Sequence, residues 1–187
     1  GLWTHYSFAI VLAAANLGLG TCWLGGTFNR SGFAVRMELA GDEVLPAITP
    51  VGYASAKRSV TDRLFRFSAA SHTRKSWQEL YFHGDFNTPL TIREAGAYGD
   101  VLEAVRLAPS ASNKQPWRVV MEEDSSRFHF FLKRTPAYDK LFQGISLQNI
   151  DIGIAISHFE MAAAETGLNG TWKIQVPDIA ANGAEYI

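Results

Sequence analysis

The chain has very little cysteine and little charge of either sign. Cys22 is the one cysteine among 187 residues, so an intrachain disulfide is excluded, and the lack of a disulfide framework favours a reducing, cytoplasmic location. Lys and Arg number 17 against 18 Asp and Glu, for a formal net charge of −1. This balance gives no electrostatic reason to expect a nucleic-acid partner. A small-molecule ligand is the expectation.

The chain also lacks a long hydrophobic run and a Met at position 1. The apolar segment 8–15 is much shorter than the roughly 20 residues of a spanning helix, and no basic segment precedes it, so we interpret it as a buried helix and expect no membrane association. The first residues run into this helix without a capping turn. That pattern predicts a chain that is truncated at its N-terminus.

What is present is a globular composition, 47% hydrophobic and 19% charged, which predicts a single domain over residues 1–187. The expected secondary structure follows from capping residues and apolar periodicity. Helices are predicted from near His5 to Gly18, from Asn29 or Ser31 to about Leu39, after Ser59 and Asp62, after the capping pairs Ser76/Glu79 and Thr91/Glu94 with an end near Leu107, and from about Leu147 to Glu165. Strands are predicted at residues 47–54, 117–121, 128–132 and 171–176, with a bulge or edge at Pro50.

An internal repeat relates two parts of the chain at an offset of 149 residues. Aligning residues 12–23 with residues 161–172 gives six identities in twelve positions, among them an Ala-Ala-Ala run, a Gly-Leu pair and a Trp. Composition bias in alanine-rich helices is the alternative explanation, but it does not account for the Gly-Leu and Trp in matching phase. We therefore favour a diverged duplication, with residues 1–70 as an incomplete first half-copy and residues 71–187 as the second.

The two copies differ directly after the shared Trp. The first continues with Gly25 and Gly26, whose missing side chains let a ligand approach the backbone, whereas the second continues as a plain strand. On this interpretation Gly25→Val blocks a ligand and leaves stability nearly unchanged.

The stretch "PSASNKQPW", residues 109–117, combines hydroxyls and amides with two prolines. Ser110, Ser112 and Asn113 are all suited to caps and turns, so a simple helix-to-helix turn is one interpretation. The density of neutral hydrogen-bonding groups between apolar neighbours also suits an oxygen-rich, partly anionic ligand such as a flavin.

Three segments, "RLAPSASNKQPW", "GLGTCWLGG" and "PVGYASAKR", resemble the FMN-dependent nitroreductase family. In that family the second and third segments come after the first, whereas here they precede it. The match is to the subgroup in which two degenerate half-copies are fused, and it extends over essentially the whole chain. The resemblance implies an α+β nitroreductase-like fold, with a central antiparallel or mixed sheet, flanking helices and an internal pseudo-two-fold duplication.

The resemblance also implies an FMN site made by both halves of one polypeptide. The chain would then be a pseudo-dimer by itself, and its assembly into homo-oligomers is left open. The second half would contribute the turn after Pro109, the first half would line the isoalloxazine, and two basic residues would meet the phosphate. These predicted cofactor-binding residues are Ser110, Ala111, Ser112, Asn113 and Gln115; Trp23, Leu24, Gly25 and Gly26; and Lys57 and Arg58.

The family's N-terminal Arg-Arg-Ser-x-Arg phosphate clamp has no counterpart before Gly1. The cluster at residues 71–75, "SHTRK", stands where the second copy's clamp would fall, but its pattern is altered, and we favour a surface loop over a phosphate site there.

The function that the resemblance implies is a nitroreductase-like oxidoreductase. Hydride would pass from NADH or NADPH through FMN to a nitroaromatic, a quinone or a similar acceptor, and no catalytic side chain is required because the flavin carries the chemistry. A non-catalytic flavin-binding or scaffold protein, and a flavin-dependent dehalogenase, are the alternatives on the same fold. No metal site is expected from Asp151, His158 and Glu160, and Cys22 is interpreted as a packed core residue.

Overall fold

The computed structural model describes residues 10–55, 73–123, 126–142 and 145–187. Lys57, Arg58 and the helix predicted after Ser59 lie outside these residues. The helices are α1 (residues 10–16), α2 (Arg30–Arg36), α3 (Trp77–Leu80), α4 (Ile92–Ala95), α5 (Gly99–Leu107) and α6 (Leu147–Glu165), with 3₁₀ turns at Gly96–Tyr98, Ala111–Asn113 and Asp139–Phe142. The strands are β1 (Gly20–Thr21), β2 (Val51–Gly52), β3 (Tyr81–His83), β4 (Trp117–Met121), β5 (Phe128–Leu132) and β6 (Glu185–Tyr186).

The described part is an α+β fold built around a four-stranded mixed sheet in the order β3-β4-β5-β6. Strands β3 and β4 are parallel, and the other two pairs are antiparallel. The aromatic and valine side chains of β4 and β5 suit a buried pleated surface, and the two strands form the predicted hairpin, with Val119 opposite Phe130. This sheet is the mixed sheet that the sequence predicts.

Helix α6 covers the sheet and packs along α5. It runs over the 19 residues predicted for it, and its buried side chains lie on several faces, as expected for a helix enclosed by the core rather than lying at the surface. The core cluster joins α6 and α5 to β4 and β5 through large side chains such as Trp117, Leu132 and Ile152. The N-terminal turns of α6 are consequently held rigidly against the rest of the second half.

Both predicted capping boxes are present, but the helices that they start are short. Ser76 and Glu79 begin α3, which ends at Leu80, where the chain enters β3 as a parallel neighbour of β4. Thr91 and Glu94 begin α4, and α5 follows only after a break at Gly96. Pairing with β4 ends α3 after one turn, and this contact lies too far along the chain for a local signal to show it.

Residues 10–55 carry a separate two-stranded ladder. Strands β1 and β2 are antiparallel, and Leu24 pairs with Ile48 in an isolated bridge, through hydrogen bonds of 2.8 and 3.0 Å. Pro50 lies between that bridge and β2. The strand predicted at 47–54 is therefore divided near its proline, which cannot donate to a ladder.

The two aligned repeat segments end their helices with the same backbone cap. Gly18 and Gly167 have φ of 74° and 75°. The next residue in each case donates back to an alanine carbonyl, Leu19 to Ala14 at 2.9 Å and Leu168 to Ala163 at 2.8 Å. These bonds are of the kind that closes a helix with a left-handed residue, and they agree position by position with the 149-residue offset.

Three sequence expectations are wrong. The apolar segment 8–15 is not a buried helix in its described part, because Ile10 is 63% and Leu12 is 41% exposed and only Ala14 of residues 10–15 is buried. Residues 171–176 form no strand in the described structure, where Ile174 is 93% exposed and the fourth position of the sheet is taken by β6. Cys22 is exposed rather than packed in the core, because it lies between β1 and the Leu24 bridge. Among the described residues, no helix combines the length and apolar character needed to cross a membrane.

Candidate functional site

The segment Ser110–Gln115 is a strained turn that is closed by its own polar groups. The Ser110 hydroxyl accepts from the Gln115 amide at 2.8 Å, and the Ser110 carbonyl accepts from the Asn113 amide at 2.9 Å. Ser112, Asn113 and Gln115 all have positive φ, between 45° and 53°. Three such non-glycine residues within four positions cost on the order of 1–3 kcal/mol each, and strain of this kind concentrates at functional sites.

The amide side chains of the turn tie it to residues 73–75. Gln115 is buried, its carbonyl oxygen accepts from the Lys75 amide at 2.8 Å, and its amide nitrogen donates to Asn113. Asn113 in turn donates to the Thr73 carbonyl at 3.0 Å. The polar atoms of the Gln115 side chain are thus engaged within the protein, where they shape the turn, and flavin contact by Gln115 stays a prediction.

Arg74 places a cation beside the same turn. Its guanidinium donates to the side-chain oxygen of Asn113 at 3.3 Å and to the carbonyls of Thr73 and Leu107. Partial burial, followed by the nearby Arg106 charge, lowers the pKa of Arg74 from its ordinary value. Residues 73–75 thus lie partly exposed at the surface and also support the turn.

Two hydrogen bonds attach the turn to helix α6 and to Tyr138. The Ala111 amide donates to Oδ1 of Asp151, in the second turn of α6, at 2.8 Å. The Tyr138 hydroxyl donates to the Ser112 hydroxyl at 2.9 Å. The backbone and a side chain of the turn are thereby both fixed.

The glycine-rich segment at Gly25 and Gly26 packs against Leu147 and Phe142, which are close in sequence to the residues that hold the turn. A Cβ atom on Gly25 would lie 2.6 Å from Cδ2 of Leu147, the first residue of α6, and one on Gly26 would lie 2.5 Å from the Phe142 ring. Arg30 donates to the Gly25 carbonyl at 2.7 Å. The close approach that the paired glycines permit is therefore taken up by protein side chains in this structure.

These contacts bring the two predicted halves of the site to one end of α6. Leu147, which faces Gly25, and Asp151, which holds the turn, are four residues apart and so lie on one face of the helix. The rings of Tyr138 and Phe142, which meet the turn and Gly26 respectively, pack with centroids 5.0 Å apart. Segments that are nearly 90 residues apart in the sequence therefore meet on a shared support.

Several polar atoms of the turn, of its support on α6 and of the chain just before Gly25 have unused hydrogen-bonding capacity. The hydroxyls of Ser110 and Ser112 act as acceptors in the bonds above, so each retains a hydrogen to donate. The Trp23 indole N–H and Oδ2 of Asp151 are buried and have no partner among the described residues. Donors and an acceptor of this kind match the chemistry of the carbonyl oxygens and ring nitrogens of an isoalloxazine, while the space beside Gly25 and Gly26 is filled by Leu147 and Phe142 in this structure.

Burial is the main influence on Asp151, which is 2% exposed. It raises the pKa of this carboxyl to about 7, while the hydrogen bond from the Ala111 amide acts in the opposite direction. Asp151 can therefore exist as a neutral acid near physiological pH.

Sequence reasoning missed Asp151, Tyr138 and the contact of Arg74 with the turn. An available signal for Asp151 is its position between two isoleucines, Ile150 and Ile152, where an acidic residue is unusual. Tyr138 lies in a loop without a motif. Within the described ranges, no three His, Cys, Asp or Glu side chains are grouped to hold a metal ion.

Comparison with known proteins gives one family and one solved structure. The model of the family described as "Putative TM nitroreductase" matches residues 5–163. The solved structure is a protein titled as a putative nitroreductase from Thermotoga maritima, with 20% identity and a TM-score of 0.54, covering 87% of this chain and 54% of that one. The chain thus spans about half the length of that protein. No curated protein matches the chain significantly.

Proposed function

The chain belongs to the putative TM nitroreductase family, and from that premise we propose that it is an FMN-dependent oxidoreductase that uses NADH or NADPH to reduce a nitroaromatic, a quinone or a similar small acceptor. The Thermotoga maritima structure supports the nitroreductase-like fold. The activity, the cofactor and the substrates are part of the proposal.

One observation carries the proposal. The loop at Gly25 and Gly26 and the turn at residues 110–115 lie at the same end of α6, on Leu147, Phe142, Tyr138 and Asp151. The resemblance to nitroreductases requires these two segments to face one flavin, although the sequence separates them. A helix-to-helix turn of purely structural purpose would not need the glycine-rich loop as a neighbour.

The protein's share of the reaction is to bind and orient. FMN, when bound, supplies the hydride chemistry, accepting from a reduced nicotinamide and delivering to the acceptor. Ser110, Ser112 and the Trp23 indole have hydrogens that can be donated to flavin oxygen or nitrogen atoms. The hydroxyls of Ser110 and Ser112 are held by hydrogen bonds within the protein, so these two donors are ordered in advance, and preorganised donors stabilise the negative charge of a reduced ring.

Arg74 is the cation that we propose for the phosphate end of the described site. It lies at the edge of the turn, bonded to Asn113, and a guanidinium suits a phosphate group. Lys57 and Arg58 remain proposed for the same role on the basis of the resemblance.

Anaerobic spectroscopy tests the proposed function. The purified chain is titrated with FMN, and NADH or NADPH is then added without oxygen while the visible flavin band is recorded. We expect one FMN per chain and bleaching of the band, followed by its return when menadione or nitrofurazone is added. A protein that binds FMN and does not bleach is a non-catalytic flavin binder, and a protein that binds no flavin contradicts the proposal.

A further inference from the structure

We propose that Asp151 is a positioning residue of the flavin site, which holds the Ala111 amide and carries a proton that the bound flavin requires. The proposal rests on the function proposed above and deepens it. It concerns a residue of α6 that no motif in the sequence identified.

The position of Asp151 follows from its contacts. Its Oδ1 accepts from the Ala111 amide at 2.8 Å, and Ala111 is the first residue of the 3₁₀ turn at the centre of the site. One helical turn before it, Leu147 packs on Gly25. Asp151 therefore lies behind both segments that the flavin would contact.

The second carboxyl oxygen supports a role beyond packing. Oδ2 is buried and has no hydrogen-bond partner among the described residues, an arrangement that folded proteins avoid. A proton on Oδ2 removes the charge of this buried carboxyl, and a neutral carboxyl is far less costly to bury than an ionised one. The raised pKa of this carboxyl is consistent with such a proton near neutral pH.

Electrostatics sets the direction of the effect. FMN is anionic, so an ionised Asp151 in a site of low dielectric opposes its binding, whereas a neutral Asp151 does not. Burial raises the pKa of Asp151, and the hydrogen bond from the Ala111 amide opposes that rise. The titratable and charged groups on the elements packed against α6 or next to the turn are Lys114, Arg118, His129, Asp100, Glu103 and Arg106, with Arg74 beside the turn.

The test compares FMN dissociation constants from pH 5.5 to 8.5 for the wild-type chain, Asp151→Asn, Asp151→Ala and the control Asp100→Asn, an exposed aspartate on α5. The FMN phosphate titrates near pH 6, but equally for all four proteins. As pH increases from 5.5 to 8.5, we expect the FMN affinity of the wild-type chain and of Asp100→Asn to decrease. The factor of this decrease should be about ten times larger than the factor for Asp151→Asn. Asp151→Ala should bind at least fivefold more weakly than Asp151→Asn at every pH, because it cannot hold Ala111.

A cofactor-free measurement separates this proposal from the proposed function. The amide ¹⁵N shift of Ala111 is followed against pH in the wild-type chain and in Asp151→Asn, with circular dichroism to confirm folding. We expect a titration with a midpoint near 7 in the wild-type chain alone. If the chain binds no flavin but Ala111 shows this titration, the proposed function and the flavin role of Asp151 are wrong. The contact between Asp151 and the Ala111 amide is then still supported. Parallel affinity profiles, or an Ala111 shift that does not titrate, overturn the role of Asp151.

Discussion

At the scale of the residue, Gly25 and Gly26 show that a glycine expected to face a ligand can instead leave room for a protein side chain. Sequence alone assigns Gly25 and Gly26 to a flavin-facing loop, and by that interpretation a larger side chain leaves the fold intact. The structure instead places Leu147 and Phe142 against them. Both contacts come from the second half of the chain, so these glycines join the halves.

Gly25→Ala should therefore destabilise the protein by about 1–3 kcal/mol, the usual cost of overpacking, because its Cβ would lie 2.6 and 2.7 Å from the Leu147 δ carbons. Denaturant unfolding without cofactor measures this. The loss should shrink in a Leu147→Val background, since valine has no δ carbons. Gly41→Ala is the matched control, because its Cβ meets open space, and an equal loss there would refute the packing argument.

Asp151 should make stability depend on pH. Its folded pKa is raised to about 7 from 3.8, so between these values the unfolded state ionises while the folded state keeps its proton. The free energy of unfolding therefore falls as pH rises from about 4 to 7 and then levels off. Each pKa unit corresponds to about 1.4 kcal/mol, so the total loss amounts to a few kcal/mol at most.

The measurement for Asp151 is the difference in unfolding free energy between wild type and Asp151→Asn at pH 4, 5.5, 7 and 8. Asn is neutral throughout, so the difference should change in favour of Asn as pH rises. The exposed Asp100→Asn control should show no such trend. A constant difference for Asp151→Asn would mean that the carboxyl titrates alike in both states.

Arg74→Gln should weaken FMN binding about tenfold, the range expected for loss of a charge-assisted hydrogen bond, and should weaken riboflavin binding much less. Riboflavin lacks the phosphate that Arg74 is proposed to meet, whereas loss of the bond from Arg74 to Asn113 would affect the turn alike for both flavins. Isothermal titration with the two flavins gives the ratio. Equal losses for both would assign Arg74 to the turn alone.

At the scale of the element, local sequence signals correctly predicted helix ends and the hairpin. The pairing of strands that are distant in the sequence was not predicted. The Gly18 cap, the Thr91 and Ser76 capping boxes, the β4–β5 hairpin and the bounds of α6 were all within reach of the sequence. Strand β3 was missed because its partner β4 lies more than 30 residues away. The strand predicted at 171–176 failed for the complementary reason, since its β-rich composition finds no ladder in the described structure.

The candidate site likewise has one part that the sequence could predict and one part that it could not. The turn and the glycine-rich loop were predictable as segments, because their residue types are unusual. Their common support was not, because Asp151 and Tyr138 meet Ala111 and Ser112 through contacts between residues far apart in the sequence. The separations are 40 and 26 residues, so the sequence can mark Asp151 as unusual but does not name the partner of either residue.

Tyr138→Phe should loosen the turn and leave the fold in place. The variant keeps the ring that packs on Phe142 and removes the hydroxyl that donates to Ser112 at 2.9 Å, a loss of about 1 kcal/mol. We expect FMN affinity to fall about fivefold. Tyr53→Phe, at a highly exposed ring, is the control, and a Tyr138→Phe protein with unchanged stability and affinity would show that the bond is dispensable.

At the scale of the whole molecule, we propose that the chain is a diverged duplication whose halves complete one site. The matching caps at Gly18 and Gly167 support the repeat. The halves have diverged at the shared Trp, since Trp172 donates to Glu160 at 2.8 Å, whereas the residue aligned with Glu160 is Val11 and the Trp23 indole has no acceptor among the described residues. The second half has an open buried donor of its own at a different tryptophan, Trp117, so the two copies differ at the shared Trp and not in the presence of such a donor.

The central claim, one flavin held by both halves, is tested most directly by an FMN titration of the 187-residue chain beside Trp23→Phe, from the first half, and Ser110→Ala, from the second. Melting temperatures without FMN are recorded alongside to separate folding from binding. The account predicts one FMN per wild-type chain and at least a fivefold loss of affinity in each variant. Full affinity in either variant, or binding of no flavin by the wild-type chain, would contradict it.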